Sequence, residues 1–150
     1  AERRQPVRWL VGKDSKVSEE PIVKHLGAAT RSLIILADEV RTEAPAPVQL
    51  RGYKASGIQL VVNVSEVDDE GSPKIKVKLS GVDVLSDSTF DLVESIEMAS
   101  VGTHVLTVYP GVGEVANVSV SQVLPHVVQI GVTHDNADEI AYSIAAYLLD

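Results

Sequence analysis

Residues 74–79 (KIKVKL) alternate without exception, with Lys74, Lys76 and Lys78 on one side of an extended chain and Ile75, Val77 and Leu79 on the other. Side chains of a strand point to opposite faces in turn, so this period of two predicts a strand half-buried against a core. Residues 58–64 (IQLVVNV) repeat the pattern: Ile58, Leu60, Val62 and Val64 share one face, Gln59, Val61 and Asn63 the other. Between the two runs, 68–72 (DDEGS) has the composition of a turn, and the pair reads as a hairpin whose register is set by its buried face. Composition favours the same class. Val is the commonest apolar residue while Phe, Trp and Met occur once each, and β-branched side chains suit a pleated surface better than a helix seam.

The rest of the chain divides around these runs. Residues 32–40 (SLIILADEV) predict a first core strand, and 44–47 (APAP) a loop or edge, because proline cannot continue a central strand. Residues 90–98 (FDLVESIEM) fit either a strand or a short helix. Residues 102–109 (GTHVLTVY) predict a strand stopped at Pro110 and Gly111, and 112–124 a weaker strand or an irregular connection. Residues 127–133 and 140–149, joined by the polar tip 134–139, predict a closing hairpin. Three alanines and a Leu pair in the last run raise its helix propensity, yet Ile140, Tyr142, Ile144 and Ala146 alternate, so a strand is favoured. The expected fold is all-β: an antiparallel β-sandwich or barrel of about seven or eight strands with an extended N-terminal arm. The arm is assigned to 1–31, with room for a short strand at 21–26, and the β-sandwich domain to 32–150.

Charge follows the same division. All 13 Lys and Arg lie in the first 78 residues. Residues 1–31 carry seven basic and four acidic side chains, a balance of +3, and residues 32–150 carry six and seventeen, a balance of −11, which together give −8. An acidic body argues against nucleic-acid binding, which needs clustered Lys and Arg to neutralise phosphates. The absence of cysteine excludes disulfides and thiolate metal sites. No apolar run is long enough to span a bilayer, and the opening AERRQPVRW lacks the apolar centre of a secretory signal. The arm's residue types suit a protein surface: Trp9 stands beside Arg3, Arg4 and Arg8, and Trp and Arg are enriched at interface hot spots. Arg3, Arg4, Arg8, Trp9, Lys13 and Lys24 are therefore the candidate partner-binding residues, with the arm either docked on a neighbour or folded back on its own domain.

Catalytic chemistry has no comparable pattern. His25, His104, His126 and His134 form no H-x-H or H-x-x-x-H pair, no Ser lies in G-x-S-x-G, and 110–113 (PGVG) lacks the Lys-Ser/Thr of a phosphate loop. The acidic turns 68–70 and 135–139 offer oxygens of the kind calcium takes but not the spacing of an EF-hand loop, and they read as solvated turns. Lys74, Lys76 and Lys78 offer a binding stripe to an acidic partner, but the favoured reading is a soluble outer face or protection of an edge strand. No enzyme activity and no cofactor are expected.

Residues 57–64 (GIQLVVNV), 102–111 (GTHVLTVYPG), 123–125 (VLP) and 135–143 (DNADEIAYS) resemble a family of small structural proteins encoded by tailed bacteriophages near their head genes. The resemblance covers roughly the last two-thirds of the chain, and at His126 and Val127 the family tends to place a Trp or Arg. It implies a virion component: a capsid decoration (cement) protein, made in the host cytoplasm and bound to the major capsid protein on the capsid exterior. It further implies a homo-oligomer, with a trimer favoured. Alternatives are a tail or head–tail connector protein and a β-sandwich module recognising carbohydrate or a cell surface.

Overall fold

The computed structural model describes residues 20–68 and 70–150. Among these there are ten strands and no helix: β1 (Ile22–His25), β2 (Ser32–Arg41), β3 (Val48–Arg51), β4 (Gly57–Val67), β5 (Ile75–Val82), β6 (Thr89–Glu94), β7 (Gly102–Val108), β8 (Ser119–Val120), β9 (Val128–His134) and β10 (Ile140–Leu149). They form two five-stranded sheets: sheet I in the order β1-β3-β9-β5-β6, and sheet II in the order β2-β10-β4-β7-β8. The inward faces of both contribute to one apolar core, in which Val77, Leu79, Val128 and Ile130 of sheet I join Leu60, Val62, Leu106 and Ile144 of sheet II.

The all-β expectation holds, and its finer terms are corrected. The sheets are mixed, because β1 pairs with β3 and β7 with β8 in parallel. Among the described residues they are not closed into a barrel, since β1, β6, β2 and β8 are each paired on one side only. The count is ten, raised by two short strands. β3 follows directly on 44–47, where the prolines hide it, and β8 has only two residues.

Both expected hairpins are crossings between sheets. The runs 58–64 and 74–79 are strands with the predicted inward faces, Ile58, Leu60, Val62, Val64 and Ile75, Val77, Leu79. Yet β4 pairs with β10 and β7, while β5 pairs with β9 and β6. Likewise β9 belongs to sheet I and β10 to sheet II. Alternation fixes which side faces the core; it cannot distinguish a neighbour in the same sheet from a strand on the far side of that core.

Ile140–Leu149 is the second strand of sheet II, hydrogen-bonded to β2 and β4. Pairing on both sides and burial of Ile140, Tyr142, Ile144, Ala146 and Leu148 outweigh the helix propensity of its alanines. Residues 90–98 begin as β6, which ends where the Ser95 hydroxyl accepts the Val77 N–H (2.9 Å) and donates to the Ile96 carbonyl (2.8 Å). β2 is an edge strand: only Ile35 is buried, and a register irregularity falls beside it.

The body reaches back into the segment assigned to the arm. β1 lies along β3, the Leu26 N–H donates to the Arg51 carbonyl (2.7 Å), and the Leu148 N–H donates to the Arg31 carbonyl (2.8 Å). Gly52 permits the first contact. It adopts φ +80°, and a Cβ there would lie 2.6 Å from the Leu26 carbonyl oxygen.

Candidate interaction surfaces

Five of the six candidate partner-binding residues, Arg3, Arg4, Arg8, Trp9 and Lys13, lie outside the described residues. Lys24 lies within them, half-buried in β1 opposite Leu50 of β3. Because β1 is the outermost strand of sheet I, the chain enters the described body at a free sheet edge.

The candidate metal and catalytic groups do not converge. Among the described residues no three of His, Cys, Asp or Glu are placed to hold a metal ion. The fold does bring the two acidic turns side by side, since both cross between sheets at one end. The Asn136 amide donates to the Gly71 carbonyl (3.1 Å), and the Asp68 N–H donates to the Glu139 carbonyl (3.0 Å). Their carboxylates are used by the turns: Asp68 accepts the Glu70 N–H within its own turn (3.1 Å), and Asp135 accepts the Lys74 N–H of the neighbouring connection (2.8 Å). These side-chain-to-backbone bonds are what short acidic residues do in turns.

The densest polar contact joins the two sheets. His134, the last residue of β9, places Nε2 2.8 Å from the hydroxyl of Tyr142 in β10. The Arg41 guanidinium stands 4.6 Å from the centroid of the Tyr142 ring and donates to the Tyr142 carbonyl (2.7 Å) and the Ala37 carbonyl (2.8 Å). Burial holds the His134 imidazolium pKa below its ordinary value; Arg41 lowers it further, and Asp135 and Glu43 oppose the shift. Burial also holds the Tyr142 phenol well above its usual range. A neutral imidazole beside a neutral phenol can exchange a hydrogen bond, but Tyr142 is fully buried and open to no substrate. The trio is a polar tie between sheets. Tyr53, in the connection from β3 to β4, donates its hydroxyl to the carbonyl of Pro125 in the connection before β9.

The outer faces differ in chemistry. That of sheet I is charged and hydrogen-bonded. The Gln49 amide donates to Gln129 (2.9 Å), Arg51 donates to Gln49 (3.1 Å), and Lys78 pairs with Asp91 (3.4 Å). The lysine ladder lies on this face, but β5 runs between β9 and β6, so edge protection is not its role. A shallow groove of about 250 Å³ crosses the face between Pro45, Pro47, Lys76 and Lys78.

The outer face of sheet II carries no charge across its centre. β10, β7 and residues 57–65 of β4 contain no Lys, Arg, Asp or Glu. Register aligns Ile34, Ala145, Val61 and Val105 in one row over four strands. On one side of it run Tyr147, Gln59 and Thr107, and on the other Ser143, Asn63 and Thr103. Ile34, Tyr147 and Val105 are exposed there. The sequence shows Gln59, Val61 and Asn63 as an outward set; only strand pairing shows that their neighbours are uncharged too.

Comparison of the chain with protein-family models, curated proteins and solved structures returned no match.

Proposed function

We propose that this protein is a non-enzymatic structural component of a virion, a decoration protein that binds the major capsid protein on the outside of a tailed-phage head through its basic N-terminal segment. One observation carries the reading: the segment richest in Arg and Lys, with the single Trp, joins an acidic body at the free edge of β1. A basic tether leaving the rim of a compact body can engage an acidic protein surface while the body stays outside it. Among the described residues no helix is long and apolar enough to cross a membrane. The protein acts as a homo-oligomer, which multiplies weak contacts made by each segment.

The connector alternative relies on strand addition. The longest free edge, β2, is irregular at Ile35 and carries Asp38, Glu39 and Arg41. Irregularity and charge both blunt edge pairing, which favours decoration. Replacing Arg3, Arg4 and Arg8 together by Gln tests the proposal: co-sedimentation with empty heads of the cognate phage weakens, and the wild-type chain loses binding as salt rises. Binding that responds to neither change would argue against a basic tether.

A further inference from the structure

We propose that the uncharged outer face of sheet II is the homo-oligomer interface, covered by the same face of a neighbouring copy. The inference rests on the reading of the protein as a homo-oligomer, and names the surface that makes it one.

Charge selects the occupant. Residues 32–150 carry seventeen acidic side chains against six basic, so two copies repel over most orientations. The three central strands of sheet II supply a field from which every charge is missing. It is bounded by Asp38 and Glu66 at one end and by the Arg31–Asp150 ion pair (3.5 Å) at the other. A strongly charged partner gains nothing from such a field and loses hydration on meeting it. The chain's own residues 1–19, eight of which are charged, match such a field less well than a second copy does. A second copy presents a matching neutral face and keeps the acidic rims outside the contact.

The residue types fit. Interface centres are depleted in charge and enriched in aromatic side chains. Here Ile34 and Val105, at opposite ends of one row, are 68% and 37% exposed, and Tyr147 in the next row is 43% exposed. Gln59, Asn63, Thr103 and Thr107 add uncharged donors and acceptors. The Thr103 hydroxyl already donates to Asn63 (3.0 Å), which orders that part of the face. Stacked sheets approach to about 10 Å, a distance these side chains span. The outer face of sheet I, with Arg51, Lys76, Lys78 and Asp91, has no comparable field.

Sedimentation equilibrium of the full chain tests this. A face that meets its own copy closes as a two-fold dimer, in place of the trimer the resemblance implies. Wild type is expected to be dimeric, and Val61→Glu and Tyr147→Arg each monomeric with an unchanged far-ultraviolet circular dichroism spectrum. Leu85→Glu, at an exposed site in the connection between β5 and β6 of sheet I, is expected to remain dimeric. Two variants at separate points of the face keep the test decisive if one of them misfolds. A monomeric wild type, or face variants that keep the wild-type stoichiometry, would overturn the inference. Head binding measured on the same samples separates it from the decoration reading. Oligomers that ignore heads leave the interface standing and sink decoration; monomers that bind heads do the reverse.

Discussion

His134 and Tyr142 meet at 2.8 Å across the junction of the two sheets, one at the end of β9 and the other near the start of β10. The five residues between those strands, 135–139, cross from sheet I to sheet II. The bond therefore fixes where that crossing begins and where it lands. Tyr142→Phe keeps the ring under Arg41 but strands the imidazole Nε2 in a partly buried site. Loss of such a bond costs about 1–3 kcal/mol. Urea unfolding should show that loss with an unchanged slope. Ile144→Ala, two residues along the same strand, should cost more, about 2–5 kcal/mol, because it opens a cavity. Equal stability of Tyr142→Phe and wild type would show that the tie contributes nothing.

The same pair sets a pH dependence. His134 titrates at its ordinary 6.5 when unfolded and lower when folded, chiefly through burial and secondarily through Arg41. Between the lowered value and 6.5 the unfolded chain binds more protons than the native one. The contribution is thus complete above 6.5 and is lost as pH falls through that window. Thermal unfolding of wild type and His134→Gln across the window should converge toward low pH, because only wild type has this contribution to lose. Parallel curves would remove His134 from the account.

Gly52 governs how the start of the body is held. Its φ of +80° and the Leu26 carbonyl oxygen, 2.6 Å from where a Cβ would lie, leave no room for a side chain. Gly52→Ala should destabilise by about 1–3 kcal/mol, from backbone strain and local crowding. Hydrogen exchange should quicken at the Ile22 and Leu26 amides, which donate to Pro47 and Arg51, before it changes in β4 or β10. Gly131→Ala, where an added Cβ meets nothing within 4 Å, is the control and should stay close to wild type.

The inward faces of β4, β5 and β10 were legible in the sequence because burial alternates with the strand period, as Ile75, Val77 and Leu79 show. Their partners were not. Whether Val64 lies beside Tyr142 or beside a residue of β5 depends on which sheet each run joins, and both choices bury the same side chains. β3 escaped notice because four residues between Pro47 and Gly52 carry too little pattern, although Val48 and Leu50 are among the most buried residues. Of the candidate sites, the basic segment is a matter of composition and can be read directly. The uncharged face and the His134–Tyr142 tie are not visible in sequence, since each depends on residues that only strand pairing or sheet packing brings together.

Burial of Trp9 or the arginines on the body itself is the rival to a binding role, and truncation separates the two. A chain comprising residues 20–150 retains β1 and every pairing described above. Its unfolding midpoint should match that of the full chain, whereas a segment folded back on its own domain would leave the truncated form less stable.

The most direct measurement is quantitative co-sedimentation of the full chain and of residues 20–150 with empty heads of the cognate phage at low salt. Saturable binding by the full chain and its loss in the truncated form are the predicted result. Equal binding by both forms, or none by either, would contradict a capsid-binding N-terminal segment.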